Sequence, residues 1–497
     1  MKGTRLLSLL LVLLMLAGTV SLAACKDNRP AGEITTPAQT SDNPAATTDP
    51  ADTEAKPKVL DKEYDGYTFK ILYASRSTRA PQDFIFQDNG TIMDKAVYDR
   101  NALLEEKNNI LLDTKESYGN DHRGYEEIQQ MNTANEPTYD FAVIHTYKMA
   151  PLATAGYLYD MSQVDSIDLE NPWWDQTMTE GVRIAGSVLF TTCDFSHAVD
   201  DYMYCVIFNK ELYRQKVTDG TDVYELVRQG TWTLDELARL ASLVSEDLNA
   251  DDKMDSNDRY GLLTWCDEMY ASIQAGGERV AKVNEDGLVE LTIQNERVNA
   301  IVDKFTSIEQ SPYSINFQRM SGGVTWPEIF SNGNALFLTS LFNEVSRFRD
   351  METDYGILPN PRYEATQDRW YCTFSAGLAS VVAMPFVQED PERTGEILEL
   401  ANYYSSKTTS PAYYTKTLVG EKIRDDESSF CLDIIFNNKF VDIGHYFQIA
   451  SLNVEMYNYV QSQKSGAFAS LISSKMRAAN VIVDSLNRKI EDLKKLY

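Results

Sequence analysis

The sequence predicts an α/β protein with two lobes joined by crossing strands, and two observations carry this prediction. First, strand patterns alternate with helical ones: residues 67–73 alternate between polar and apolar, and 139–145 form a continuous apolar run. This alternation favours an α/β lobe with right-handed crossovers. Second, the stretch 186–213 holds two β-prone apolar runs, Val188–Phe190 and Met203–Phe208, with polar residues between them. Strands placed end to end in this way predict a chain that passes from one lobe to another.

Composition bounds the class of protein. The chain has 497 residues, of which 43% are apolar, so it can form large packed cores. Its formal net charge of −28 repels phosphate backbones, and no nucleic-acid partner is expected. The acidic excess otherwise indicates a soluble surface.

The first 24 residues are expected to be a lipoprotein signal peptide. A charged start, Met1–Arg5, precedes the apolar run Leu6–Ala17, which is shorter than the roughly 20 residues of a membrane helix. The run ends in Leu22–Cys25 (LAAC), which resembles a bacterial lipobox, so Cys25 is predicted to be lipidated after cleavage. The alternative is an ordinary signal peptide that leaves Cys25 free. The protein is therefore expected on the outer face of the cytoplasmic membrane.

Residues 25–59 are predicted to be the lipidated cysteine followed by a disordered stalk. They are rich in Thr, Ala, Pro and Asp and have hardly an aromatic, so they cannot bury enough surface to fold. The five cysteines after the stalk form no CxxC pair and are expected to be buried apolar side chains. A disulfide between Cys193 and Cys205 is the alternative.

The remaining patterns predict further elements of both types. Thr233 and Glu236 form a capping-box sequence at a helix start, and Asp390-Pro391 supplies an N-cap followed by a first helical residue. Helices are predicted at 93–109, 233–244, the end of 278–302, 344–351, 390–404 and 466–497, and strands at 261–265, within 329–339, at 355–359 and within 376–384.

Several segments together resemble a known family. They are YDRNALLEEKNN (98–109), 139–164, NPWW (171–174), FNKELY (208–213), GTWTLDELARLA (230–241), FSNGNALFLTS (330–340), 349–362 and 412–428. In order and spacing they resemble the family 1 extracellular solute-binding proteins of bacterial ABC importers. The resemblance implies a two-lobed, periplasmic-binding-protein-like fold of type II that closes on a ligand held between the lobes. It also implies a permease as partner and a monomeric receptor.

The lobes and their crossings can be placed on the chain. Residues 60–200 with about 373–425 are expected to form the first lobe, and residues 201–372 with about 426–497 the second. His197–Tyr202 is predicted to be the first hinge strand, with a return crossing near Arg369–Ser375.

Candidate ligand-binding residues follow from this topology, because ligands of open α/β sheets meet the carboxyl ends of strands. The candidates are Arg76, His145, Asp194, Trp265, Asp267, Trp326, Ser340, Trp370 and Tyr371. Flat aromatic faces with Asp and Arg hydrogen-bonding groups are typical of sugar sites. For each tryptophan, core packing is the alternative. Asp194, at the lip of the predicted hinge, is the leading candidate.

An Asp-rich stretch predicts a structural calcium site. Oxygen ligands fall at the positions of a calcium loop, namely Asp247, Asn249, Asp251, the carbonyl of Lys253, Asp255 and Asp258. Two residues depart from that pattern, since position 6 is Asp252 instead of Gly and position 12 is Asp instead of Glu. A solvated acidic turn is the alternative.

Enzyme signatures are missing from the sequence. It contains no HExxH, GxSxG, Walker A or GxGxxG motif, and its four histidines have no metal or triad spacing. The expected function is a membrane-anchored receptor that delivers a carbohydrate, preferably a neutral oligosaccharide, to an ABC permease. A surface lipoprotein that senses a ligand or binds a polymer without transport is the alternative, and a surface hydrolase ranks third.

Overall fold

A computed structural model describes residues 55–74, 83–116, 121–320, 323–416, 425–493 and 495. The predicted signal peptide, Cys25, most of the stalk and Arg76 lie outside these residues. Ala55 and Val59, at the end of the predicted stalk, already pack against a hydrophobic core. Folded structure thus begins slightly before the position expected from composition.

The first lobe is built on a four-stranded sheet of order β12-β3-β1-β2. Its strands are β1 Tyr67–Ala74, β2 Ile110–Glu116, β3 Phe141–His145 and β12 Ser380–Ala383. β1 pairs in parallel with β2 and β3, whereas β12 runs antiparallel to β3. Every residue of β3 is buried, as its continuous apolar sequence predicts. The sequence prediction omitted β2, a partly exposed edge strand with three charged residues.

The second lobe is built on a six-stranded sheet of order β11-β4-β10-β6-β5, with β9 paired to β6. Its strands are β4 Tyr204–Asn209, β5 Ser245–Glu246, β6 Arg259–Thr264, β9 Ser314–Asn316, β10 Ala335–Leu341 and β11 Tyr355–Leu358. A separate hairpin pairs β7 Ala281–Val283 with β8 Val289–Leu291. β4 and β10 are fully buried and lie in the middle of the sheet.

Helices cover both sheets. In the described part of the chain they are α1 Ile92–Asn108, α2 Asp121–Ala134, α3 Thr146–Ala155, α4 Gln176–Gly181, α5 Lys210–Lys216, α6 Val223–Arg228, α7 Leu234–Ala241, α8 Glu268–Ala275, α9 Glu296–Glu309, α10 Trp326–Ser331, α11 Pro391–Lys407, α12 Thr409–Lys416, α13 Asp426–Asn437, α14 Ile443–Tyr446, α15 Leu452–Gln461 and α16 Phe468–Leu493. Among these described helices, none is long and apolar enough to cross a membrane.

The predicted helix starts are confirmed. The Thr233 side chain accepts a hydrogen bond from the Glu236 amide at the start of α7. Asp390 caps α11, whose first residue is Pro391. The C-terminal helix α16 buries one face against the protein, including Ile472, Ala479, Val483, Leu486 and Ile490.

The two crossings between the lobes lie side by side. Met203 forms an antiparallel bridge with Phe374, the Tyr204 amide donates to the Thr373 carbonyl at 3.0 Å, and the Ser375 amide donates to the Tyr202 carbonyl at 2.9 Å. The return crossing thus lies within the predicted Arg369–Ser375. The prediction of a hinge strand at 197–202 is wrong, because Asp200–Tyr202 form a 3₁₀ turn and the crossing begins at Met203. The run Val188–Phe190 likewise forms no strand.

Candidate functional site

A cavity of about 420 Å³ is lined by residues that adjoin strands of both sheets, and we call it the cleft cavity. Its volume falls in the usual range of small-molecule sites, roughly 300–1,000 Å³. Its lining residues are Tyr147, Tyr204, Trp265, Asp267, Tyr270, Gln318, Ser375, Gly377, Leu378, His445, Asn453, Val454 and Tyr457. Tyr147, Gly377 and Leu378 adjoin strands of the first sheet, whereas Tyr204 and Trp265 adjoin strands of the second. Both lobes therefore contribute to the cavity.

Aromatic rings form much of the wall. Tyr204, the first residue of β4, packs against Trp265 with ring centroids 5.8 Å apart, and Trp265 stacks on Phe317 at 6.0 Å. Tyr270 stacks on the His445 imidazole at 4.1 Å. Such flat faces suit the apolar faces of sugar rings and also attract cations.

One hydrogen bond joins the two sides of the cleft cavity. The Tyr147 hydroxyl, at the start of α3, lies 2.6 Å from Nε2 of His445. His445 is held by α14, whose N-cap Asp442 accepts hydrogen bonds from the Val280, Ala281 and His445 amides. Burial lowers the pKa of His445 to about 3, so its imidazole is neutral at physiological pH.

Asp267 supplies the acidic group of the cleft cavity. It precedes α8 without capping it, and no other described residue forms a hydrogen bond or an ion pair with its carboxylate. Burial alone raises its pKa to about 6. The next residue, Glu268, is more deeply buried and accepts a hydrogen bond from Asn360, and burial raises its pKa to about 8. At neutral pH, Asp267 is thus mainly ionised while Glu268 is mainly protonated.

Two of the residues predicted from the sequence, Trp265 and Asp267, line the cleft cavity. His145 lies directly behind the wall. Its Nε2 is 2.8 Å from the carbonyl oxygen of the lining residue Gly377, and its ring packs edge-on against Tyr147. His145 thus positions lining residues and does not itself line the cavity.

Four other predicted residues do not line the cleft cavity. Trp326 stacks on the far side of Phe317, at 5.1 Å. Ser340 is buried in β10, and Trp370 is buried beneath the Arg362 guanidinium. Tyr371 packs on Phe440 and donates its hydroxyl to Asp368.

Asp194, the leading candidate from the sequence, lies in a different polar group next to the crossing. We call this group, Asp175, Asp194, His197, Asp200 and Lys439, the hinge ionic cluster. The Lys439 ammonium lies 2.9 Å from a carboxylate oxygen of Asp175 and 2.9 Å from one of Asp200. Burial raises the pKa of Asp194 to about 6, although the neighbouring His197 lowers it. The structure does not bring Asp194 to the cleft cavity.

The predicted calcium loop is a turn stabilised by its own carboxylates. Asp247 accepts hydrogen bonds from the Ala250 and Asp252 amides, and both of these residues have positive φ, 58° and 62°. The fully buried Asp258 accepts from the Leu248 and Asp255 amides. Within the described ranges, no group of three or more His, Cys, Asp or Glu side chains is arranged to hold a metal ion.

Sequence reasoning missed most of the tyrosines in the wall. Tyr147 follows the predicted strand end His145 by two residues, so the strand-end rule could have included it. Tyr204 was assigned to a buried run. Tyr270, His445 and Tyr457 carry no local signal, because packing of α8, α14 and α15 brings them together.

Known proteins resemble this chain in structure and not in sequence. No protein-family model matches the sequence, and no curated protein matches it significantly. Among solved structures, an ABC substrate-binding protein from Listeria monocytogenes in complex with cycloalternan superposes with a TM-score of 0.54 at 14% identity, covering 84% of this chain and 99% of that one. The chain has the fold of the two-lobed solute-binding proteins.

Two other solved structures superpose on this chain to a similar extent. A family 1 extracellular solute-binding protein from Bifidobacterium longum subsp. infantis has a TM-score of 0.54 at 14% identity, covering 86% of this chain and 99% of that one. A cyclo/maltodextrin-binding protein complexed with maltotetraose has a TM-score of 0.53 at 12% identity, covering 89% and 98%. The two-lobed fold predicted from the sequence is confirmed, and these neighbours support the family resemblance.

Proposed function

We propose that this protein is an extracellular receptor of an ABC importer that binds an oligosaccharide without acidic groups between its lobes. The observation that carries the proposal is the cleft cavity itself, with aromatic faces and hydrogen-bonding groups contributed by both lobes. Ligand contacts on both sides would favour the closed arrangement, because they exist together only when the lobes meet. The structural neighbours crystallised with cycloalternan and maltotetraose support a sugar ligand.

The charge of the site limits the charge that its ligand can carry. Among the described residues, the cavity lining contains Asp267 but no Lys or Arg, and the whole chain carries −28. An anionic sugar would therefore meet repulsion both at long range and in the site. We thus place acidic sugars outside the ligand class.

The decisive experiment is calorimetry on the purified protein with linear and cyclic oligosaccharides, peptides and polyamines. We expect at least one oligosaccharide to bind and raise the melting temperature, because a ligand that binds only the folded state stabilises it. Binding by peptides or polyamines with none by any sugar would contradict the proposal.

Membrane anchoring and delivery are part of the same proposal. A lipid on Cys25 would tether the receptor beside its permease. We expect Cys25→Ala to release the protein into the medium of a bacterial culture, as measured by immunoblotting of cell and medium fractions. Full retention of the variant on cells would contradict lipidation at Cys25.

A further inference from the structure

Asp267 is partly buried and differs from other interior acids of this protein in having no partner among the described residues. The Asp442 carboxylate accepts backbone amides, Glu399 accepts the indole N–H groups of Trp173 and Trp174, and Asp200 pairs with Lys439. For Asp267, no described residue supplies a hydrogen bond or a positive charge. Leaving an ionised carboxylate buried and unpaired costs free energy, so a partner that enters the cavity would gain more here than at a satisfied acid.

Three tyrosines, Tyr204, Tyr270 and Tyr457, line the same cavity as this carboxylate. The charge of Asp267 adds to burial in raising the pKa values of these three phenols. Trp265 lies two residues before it and lines the same cavity. An ammonium group attracts both a carboxylate and the faces of aromatic rings, and its three N–H groups donate to carboxylate and phenol oxygens.

Nothing in the described lining offers that positive charge from within the chain. Lys and Arg are absent from the lining, and His445 is neutral because burial lowers its pKa to about 3. The net charge of −28 also attracts cations toward the protein.

We infer that the cleft cavity selects a sugar that carries a protonated amine, with the amine bound between the Asp267 carboxylate and the surrounding tyrosine rings. This inference rests on the proposed function and narrows it from non-acidic sugars to amino sugars. It replaces the neutral sugar that the sequence alone predicts.

The test compares two sugars that differ in charge at their nitrogen atoms, the disaccharide of glucosamine and its N-acetylated form, by calorimetry at neutral pH. We expect the amine form to bind roughly tenfold more tightly or better, as charge-assisted hydrogen bonds and cation–π contacts add to ring stacking. Choline and spermidine serve as sugar-free ammonium probes and are expected to bind more weakly than the amino sugar.

The variant Asp267→Asn should abolish the preference for the amine form, so that the two disaccharides bind with similar affinity. Its ligand-free melting temperature should be equal or higher, because an unpaired buried charge is removed. Asp286→Asn, on the exposed β7–β8 turn, is the matched control for net charge and should keep the preference.

The possible outcomes distinguish failure of the amino-sugar inference from failure of the proposed sugar receptor. If the N-acetylated disaccharide or maltotetraose binds as tightly as the amine form, the inference is overturned and the sugar receptor stands. An equal loss of both disaccharides in Asp267→Asn also overturns it and makes Asp267 a general hydroxyl ligand. If choline or spermidine binds more tightly than any sugar, both the inference and the proposed function fail.

Discussion

The cleft cavity and the hinge ionic cluster both hold a partly buried aspartate with a similar pKa but a different role. Burial raises the pKa of Asp194 and of Asp267 to about 6 in each case. Asp194 lies among charged groups of its own chain, including His197 and Lys439, whereas Asp267 faces an open cavity and tyrosine rings. A raised pKa therefore does not identify a binding residue by itself. The absence of a partner among the described residues is what distinguishes Asp267 from Asp194.

The comparison also distinguishes charges that hold the fold together from a charge that is available to a ligand. Burial by itself would raise the pKa of Asp200, but the charges of Lys439 and His197 outweigh burial and hold it well below its ordinary value. Lys439 also follows Asn438, whose carbonyl oxygen accepts the amide of Cys372 in the return crossing. The hinge ionic cluster therefore ties α4, the first crossing and the return crossing together.

The largest expected effect comes from breaking that cluster. Lys439→Met leaves the Asp175 and Asp200 carboxylates, which are 16% and 21% exposed, without their shared cation. Removing one partner of a buried ion pair costs up to about 3–5 kcal/mol. We expect the free energy of unfolding, measured in urea, to fall by about that amount.

The matched control is Lys282→Met, which removes an ion pair with Glu290 whose two side chains are 46% and 43% exposed. An exposed pair contributes at most about 1 kcal/mol, so this variant should unfold nearly like the parent. Equal effects of the two lysine variants would show that the hinge ionic cluster is not a stabilising tie.

The next effect tests the aromatic wall. Tyr457→Ala removes a half-buried lining ring and should weaken sugar binding by about tenfold, or about 1.4 kcal/mol. Tyr371→Ala removes a tyrosine that the sequence predicted as a ligand but that packs on Phe440 outside the cavity. It should leave the dissociation constant unchanged in calorimetry. A larger loss of affinity in Tyr371→Ala than in Tyr457→Ala would place the ligand at the residue predicted from the sequence instead of in the cleft cavity.

A smaller effect is expected for a variant of Asp194. Asp194→Asn should leave ligand binding unchanged, since its contacts lie in the hinge ionic cluster. This is the reverse of what its predicted place at the cleft lip implies. A loss of affinity with an unchanged melting temperature would put Asp194 back in the ligand site.

The pH dependence of amino-sugar binding sharpens the same contrast. The amine pairs with ionised Asp267, so affinity should fall as pH drops through about 6 and the carboxylate gains its proton. Burial raises the pKa of Glu268 to about 8 and lowers that of His445 to about 3, so neither titrates near pH 6. Burial also raises the pKa values of nearby groups that stay protonated, namely Tyr204, Tyr270, Cys266 and Tyr457. Calorimetry from pH 5 to 7 on the parent and Asp267→Asn should show the fall in affinity in the parent alone.

Local patterns were enough to predict much of the fold. Continuous apolar runs identified β3 and β4, and the N-cap residues Thr233 and Asp390 identified the starts of α7 and α11. The site was predicted only where it follows a strand end, as with Asp267 after β6. Lining residues such as Tyr270, His445 and Tyr457 come from helices far apart in sequence, so their meeting depends on packing that no local pattern records. Asp194 lies in the hinge ionic cluster and not in the cavity lining, because an acid beside a crossing can face either the cleft or the hinge.

The Asp247–Asp258 loop is a third acidic region, and the change in melting temperature predicted for it is the smallest expected effect. The carboxylates of Asp247 and Asp258 already accept hydrogen bonds from loop amides. Calcium would cancel their mutual repulsion, so we expect a melting temperature a few degrees higher in calcium than in EDTA. Asp251→Asn removes one charged oxygen ligand and should abolish that difference. Equal melting temperatures of the parent in calcium and EDTA would leave the loop as a turn held by its own hydrogen bonds, satisfied within the chain like the hinge ionic cluster and unlike Asp267.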